Sequence, residues 1–367
     1  MEKHNFGVEP LTCHAWNKDR SQVAISPNSQ MVDIYEKKGS GWNKIYTLNE
    51  HTQRVTSIDW APNSNRIVTC GSDRNAYVWS QNGNGEWKPS LVILRINRAA
   101  TCVRWSPEEN KFAVGSGARL VSICYFEQDN DWWVSKHIKK PIRSTVTTVD
   151  WHPNNYLLAC GSTDFKVRVF SAYVKEIEAK PSGNAWGTKL PFGVCLKEFS
   201  SGGGWIHSVC FDASGNRLAF TGHDSTMSVV NAAADFALGQ SKLKGLPLLS
   251  LQWVGPSSII AGGHDCELMR FRVDDNTNVT FEGKAGVAQK KAQAKVSAMA
   301  MFKNLDKKAT TEDDSKKASV HQNSITQLVI HTGAKEAVTK LSSIGMDGLV
   351  VIWNQSSLEA SVGGMSI

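Results

Sequence analysis

Four His/Asp combinations in this 367-residue chain have the side-chain types that could move a proton: His51 with Asp73, His223-Asp224, His264-Asp265 and His321 with Asp347. A histidine beside a carboxylate is the pairing used for general acid–base work. Such chemistry also needs a nucleophile, a metal or a phosphate cradle within reach. The sequence contains no Gly-x-Ser-x-Gly, no phosphate loop, no His-Glu-x-x-His and no metal-ligand spacing. The tract Ser201-Gly202-Gly203-Gly204-Trp205 lacks the lysine and helix that follow a phosphate-binding loop, and reads as a flexible loop. His14, His137, His152 and His207 converge on no visible site.

Spacing gives the His and Asp residues a different meaning. Asp73 and Asp164 each follow a tryptophan, Trp60 and Trp151, by 13 residues. The same Asp stands six residues before a bulky residue five times: Asp73 to Trp79, Asp164 to Phe170, Asp224 to Val230, Asp265 to Phe271 and Asp347 to Trp353. Two further copies run from Ser29 to Tyr35 and from Arg119 to Tyr125, with the acid replaced. An acid held at one place in a repeat is a structural part. In a WD-repeat blade the turn Asp accepts hydrogen bonds from a preceding His, tied onward to a Ser or Thr and to the closing Trp, so that buried polar groups are satisfied. That reading joins His51, Asp73 and Trp79 in one set, and His321, Ser343, Asp347 and Trp353 in another. The pairs at 223–224 and 264–265 fall at the same turn and read as structural too. No copy ends in the literal Trp-Asp pair, so burial of the anchor aromatics must carry most of the stability.

The elements that position these residues follow from the anchors Trp16, Trp60, Trp105, Trp151, Phe211, Trp253 and Ile330. They lie 44, 45, 46, 60, 42 and 77 residues apart. A four-stranded propeller blade takes roughly 40–45 residues, so the long gaps mark insertions near 172–200 and 274–320. Glycine- and Asn/Asp-rich turns before Trp42, Trp87 and Trp132 supply outer hairpins. Counting back from Trp16 makes the first ten residues the outer strand of the last blade, which closes the ring and leaves no long exposed edge. The expected fold is all-β: one seven-bladed WD-repeat β-propeller over residues 1–367, with a short helical insertion between blades 6 and 7.

No apolar run approaches the roughly 20 residues needed to span a bilayer, and the first residues lack a signal-peptide core. Eight scattered cysteines, several within strand patterns, suit buried free thiols in a reducing cytosol. The formal charge of +7 is concentrated: residues 283–318 carry nine lysines against four acids. Within this 284–319 insertion, residues 285–306 read as an amphipathic helix with Ala294, Ala298, Met301, Phe302 and Leu305 on one face, followed by a polar tail. Such a helix folds back on the propeller or docks in an apolar groove of a partner; a membrane-surface helix ranks third, because the apolar face is short. The other insertion, Lys175 to Lys197, reads as an ordered loop with exposed aromatics, packing on a blade or meeting a neighbouring subunit.

Cys13-His14-Ala15-Trp16-Asn17, the strand Val23 to Asn28, the tryptophan hairpins, Gly187-Thr188-Lys189-Leu190-Pro191-Phe192-Gly193 and the late Lys/Ala/Met-rich stretch together resemble one family. It is the WD-repeat subunit (subunit 1, the forty-kilodalton class) of the actin-related protein 2/3 complex, and the resemblance covers the whole chain. It implies a non-enzymatic subunit without cofactor, small-molecule substrate or membrane insertion, in an assembly that nucleates branched actin filaments. The implied partners are the other subunits, the actin filament and the acidic tails of nucleation-promoting factors. The implied location is the actin-rich cytoplasm and cytoskeleton, with the nucleus as a second compartment. In that family the late-insertion helix touches the mother filament, which maps here onto Ser297, Ala298, Met299, Met301, Phe302 and Leu305. Without the resemblance, the residues leave open a WD-repeat scaffold or peptide receptor in another cytosolic or nucleic-acid-associated complex.

Overall fold

Each of the seven anchors lies at or near the end of the first strand of a four-stranded antiparallel sheet. These strands are Cys13–Trp16, Val55–Trp60, Ala100–Trp105, Val146–Trp151, Ile206–Phe211, Leu248–Gly255 and Ile325–Ala334. The computed structural model describes residues 1–39, 41–200, 202–286 and 319–359. First strands of neighbouring blades touch one another around a central channel, and the other strands follow outward in chain order. The seventh sheet has its outer strand from the opposite end of the chain. Glu2–Asn5 pairs antiparallel with Leu349–Asn354, Glu2 facing Ile352 and Asn5 facing Leu349. Among the described residues no helix is long and apolar enough to cross a membrane.

Because each sheet is sandwiched between two others, its second strand is buried on both sides. Ile67–Gly71, Lys111–Ser116 and Leu157–Ser162 are buried throughout, which is why, Lys111 apart, their sequences are runs of apolar and small residues. The hydrophobic core is accordingly divided into seven clusters, each spanning one blade-to-blade interface. Between blades 1 and 2, Ile34 and Leu48 meet Trp60, Trp79 and Trp87, with Trp60 edge-on to Trp87 at 5.6 Å. The interface that closes the ring is small, Leu11, Trp16, Val23, Ile25 and Tyr35 against Ile344, Val350 and Ile352.

Polar bonds reinforce the same interfaces. The second residue of four first strands is a threonine whose hydroxyl donates to the next blade: Thr56 to Ala100 O (2.9 Å), Thr101 to Val146 O (2.6 Å), Thr147 to Ile206 O (2.5 Å) and Thr326 to Leu11 O (3.0 Å). A shift of strand register beside each threonine frees it for this role. The closure carries a further latch. His14 donates through Nδ1 to Gln327 Oε1 (2.8 Å), and its Nε2 accepts from Ser342 Oγ (2.8 Å), which also receives Trp16 Nε1 (2.9 Å).

Blade 3 departs from the sequence ruler. Strand register places Cys124, not Tyr125, opposite Phe112, in the place that Trp79 takes opposite Ile67 in blade 2. The turn acid is therefore replaced by Ala118. Arg119 takes the next position, whose φ is left-handed in six blades: 71° at Arg74, 60° at Arg119, 68° at Phe165, 63° at Ser225, 61° at Cys266 and 73° at Gly348. Counting from a bulky residue misled by one because Tyr125 is as bulky as the residues that close the other blades.

Candidate functional site

The two His-containing sets assemble within single blades. With its proton on Nδ1, His51 donates to Asp73 Oδ2 (2.8 Å), while Nε2 accepts from Thr69 Oγ1 (2.8 Å) and Thr69 Oγ1 accepts from Trp79 Nε1 (3.0 Å). In blade 7, His321 Nδ1 stands 3.1 Å from both Asp347 oxygens, Nε2 lies 2.7 Å from Ser343 Oγ, and Trp353 Nε1 donates to the same hydroxyl at 2.8 Å. Both histidines are buried. The strand ends at Gly71 and Gly345 make room for them: a Cβ there would sit 2.8 Å from each His Nδ1. Thr69 escaped the sequence reading, although it lies ten residues before Trp79, as Ser343 lies ten before Trp353.

The turn acids share a task that does not need the histidine. Asp73, Asp164, Asp265 and Asp347 accept the backbone amides of Thr52, Arg143, Leu246 and Gln322 at 3.0, 3.0, 3.0 and 2.8 Å. Each bond ties the turn to the connection entering that blade. Burial pushes the Asp347 carboxyl up, but hydrogen bonds and charge from His321 and the amides of Gln322 and Leu349 outweigh it and hold it below the carboxylate range. In blade 4, where no histidine meets the turn acid, Arg168 pairs with Asp164 (2.9 Å) and Glu198 (2.8 Å) instead.

His223 and His264 do not reach their neighbouring acids as a proton relay. His223 Nδ1 lies 2.8 Å from His207 Nε2 and its ring lies over Trp205, while His264 Nδ1 lies 2.9 Å from Ser324 Oγ. Burial, aided by His223 and His264, pulls His207 down to about 4, so it is neutral at physiological pH. Among the described residues no group of three or more His, Cys, Asp or Glu could hold a metal. Burial raises the thiols, Cys13 and Cys124 to about 12 and Cys210 to about 11, which leaves them protonated and poorly nucleophilic.

The insertion between the third and outer strands of blade 4 corrects one expectation: its aromatics are not exposed. Trp186 is 2% exposed, packs with Leu190 against Phe211 of blade 5 and donates through Nε1 to Gly215 O (2.8 Å). Phe192 is half-buried. Glu178 clamps the loop's start, accepting from Val174 N (2.8 Å) and Asn155 Nδ2 (2.7 Å) and pairing with buried Lys111 of blade 3. The loop is a strap across three blades. Residues 195–200 at its end form the outer strand of blade 4.

Lys335 lies in the hairpin between Ile325–Ala334 and Ala337–Gly345, and reaches Asp150 Oδ2 (3.1 Å) and Phe211 O (2.8 Å), joining the seventh blade to the fourth and fifth. Burial alone would lower its pKa, but Asp150 and the nearby Cys210 raise it. Nothing in the repeat pattern signals this link. The late-insertion residues Ser297, Ala298, Met299, Met301, Phe302 and Leu305 lie outside the described residues. So does the rest of that insertion from 287 to 318.

A model for the WD domain, G-beta repeat, matches residues 42–80, 133–171 and 193–231, each span running from the outer strand of one blade through the third strand of the next. The chain is 57% identical over 370 residues to actin-related protein 2/3 complex subunit 1A-B of Xenopus laevis, covering 100% of both chains. It is 45% identical to actin-related protein 2/3 complex subunit 1 of Schizosaccharomyces pombe, over 94% of this chain and 97% of the relative. Identity to subunit 1B of Arabidopsis thaliana is 41%, over 99% and 98%.

Proposed function

The chain belongs to the subunit 1 family of the actin-related protein 2/3 complex, and from that premise we propose that it is the WD-repeat subunit of such a complex and contributes without catalysis to the nucleation of branched actin filaments. The observation that carries this is identity along the full length of the relatives, which takes in both insertions as well as the blades. A closed ring of seven interlocked sheets suits a scaffold: its edges and loops present surfaces while the core stays rigid. The other subunits are its constant partners. Acidic tails of nucleation-promoting factors are received on this subunit, and the complex works in the actin-rich cytoplasm, with a nuclear pool as a second setting.

Contact with the mother filament is assigned to the late insertion, through Ser297, Ala298, Met299, Met301, Phe302 and Leu305. Its excess of lysine favours an acidic partner surface. The first test is a pull-down of the tagged chain from its native cell. Stoichiometric recovery of two actin-related proteins is expected, and their absence refutes the assignment. The second test is Phe302→Asp. For a docked anchor, branch formation by the purified complex falls sharply, since a central apolar contact can carry about 2 kcal/mol or more. The melting temperature then stays within the effect of an exposed substitution, about 0.5 kcal/mol. A drop in melting temperature with branching that merely tracks the folded fraction would instead place Phe302 in the propeller's own packing.

A further inference from the structure

We propose that the rim of blades 2 and 3 docks peripherally on membranes, a basic cleft receiving the multiply phosphorylated inositol headgroup of a lipid while an apolar edge beside it enters the bilayer interface. The cleft exists because blade 3 lacks a turn acid. In blades 2, 4, 6 and 7 that aspartate receives a backbone amide from the connection entering the blade. Gly117 N donates to Ala99 O at 2.9 Å as Ser72 N donates to Arg54 O at 2.8 Å, which aligns Ala118 with Asp73 and the Asn97 amide with that of Thr52. With a methyl group where the other blades have a carboxylate, the turn leaves a hollow of about 550 Å³ lined by Arg95, Asn97, Ala118, Arg119, Lys139 and Lys140.

The charge at this cleft is of one sign. No acidic side chain lines it, and among the described residues none of Arg95, Arg119, Lys139 and Lys140 forms an ion pair. Neighbouring Lys136, by contrast, is paired with Glu176 at 2.7 Å. Arg95 is held by donation to Ser135 O, so its guanidinium is positioned before any ligand arrives. Guanidinium forks and ammonium groups bind phosphate oxygens through charge-assisted hydrogen bonds, and the Asn97 N–H adds a donor of the kind that serves a carboxylate in other blades. What selects a lipid is the edge beside the cleft. In the outer strand of blade 2 and the connection after it, Leu91 and Ile93 are 49% and 63% exposed, alternating with buried Val92 and Leu94, and the next exposed position is Arg95. Three successive outward positions thus pass from apolar to cationic. Peripheral proteins hold anionic membranes by this pairing: the apolar side chains enter the headgroup boundary and the cations meet the phosphates. A run of carboxylates would give Leu91 and Ile93 nothing to bury against.

The test is vesicle co-sedimentation of the native complex that contains the chain. Phosphatidylcholine vesicles carrying phosphatidylinositol bisphosphate are compared with phosphatidylcholine alone and with phosphatidylserine vesicles of equal surface charge. Binding to the first is expected to exceed binding to the other two and to fall as salt rises. Ala118→Asp, which restores the turn acid in place, and Lys139→Glu/Lys140→Glu are each expected to weaken it about tenfold or more. Leu91→Ser/Ile93→Ser is expected to weaken vesicle binding severalfold while leaving the affinity for soluble inositol trisphosphate unchanged. Unchanged vesicle binding in the charge-reversal variant, or equal binding to phosphatidylserine vesicles, overturns the proposal. Unchanged vesicle binding in Leu91→Ser/Ile93→Ser also overturns it, by reassigning the cleft to a soluble phosphate ligand. Displacement from vesicles by an Asp/Glu-rich peptide at lower concentration than by inositol trisphosphate overturns it as well, by making the cleft a protein site. Vesicle binding needs no actin, so failure here leaves the proposed role in nucleation standing.

Discussion

Truncating Asp347 to alanine strands the Gln322 amide and one donor of a buried histidine, and Asp73→Ala does the same to Thr52 and His51. Each change is expected to cost roughly 1–3 kcal/mol, read as a lower melting temperature. Wild-type stability in either variant would show that the set in that blade contributes nothing. The Asp347 effect has a definite pH dependence. Its carboxyl lies below the ordinary range in the folded chain, so its contribution is present above the unfolded value of about 3.9 and is lost as pH falls through the lower folded value. The melting-temperature gap between parent and Asp347→Ala should therefore be full near neutrality and shrink below about pH 4. The His14 effect sets in at higher pH, because an unfolded histidine has its proton equilibrium at about 6.5. Burial holds it down to about 3 despite its bond to Gln327, so the stability of its neutral form is present above about 6.5 and declines as pH falls through the folded value. His14→Gln, which cannot protonate, should flatten the acid slope of stability between about pH 6.5 and 4 by up to about 1.4 kcal/mol per pH unit. An unchanged slope would mean that the latch opens without protonating His14.

Strand-scale consequences concentrate at the closure. Glu2–Asn5 supplies the outer strand of blade 7, and Phe6 and Val8 pack against the small cluster between blades 7 and 1. Deleting residues 1–8 removes that strand and exposes the edge of Leu349–Asn354 to pairing with other chains. The expected result is a lower melting temperature together with oligomers on size exclusion. A monodisperse protein of unchanged stability would show that the Thr326 and His14 bonds alone suffice. The strap inserted in blade 4 shows why an insertion's aromatics resist assignment from sequence. The Trp186 position reads as loop, and only the facing surface of blade 5 decides that it is buried.

Across the whole molecule, Lys335 is a contact that local pattern cannot anticipate, since it joins residues 185 positions apart across the channel. Lys335→Ala leaves Asp150 with the amide of Phe211 as its remaining donor (2.8 Å). With the pair still partly open to solvent, the expected loss is about 1 kcal/mol, measured by denaturant unfolding. A neutral result would identify the hairpin as held by its own strand pairing. Because every blade shares its core with two neighbours, unfolding of the ring should be one transition, and local variants should shift the whole curve.

By itself the sequence determined the repeat, the number of blades, the anchor of each first strand, the outer strand borrowed from the N-terminal segment and the family. Periodic placement of large apolar residues, and of turn acids that must be satisfied once buried, is a local signal, and seven copies make it legible. What only the tertiary structure decided lies where blades meet or where a copy deviates. Thr69 and the latch of His14, Gln327 and Ser342 depend on which side chains face one another across strands. The blade 3 register depends on which residue pairs with Phe112, and Tyr125 and Cys124 could not be told apart by counting alone. The basic cleft follows from that register, because the place of an absent carboxylate is defined only by the amides that other blades offer it.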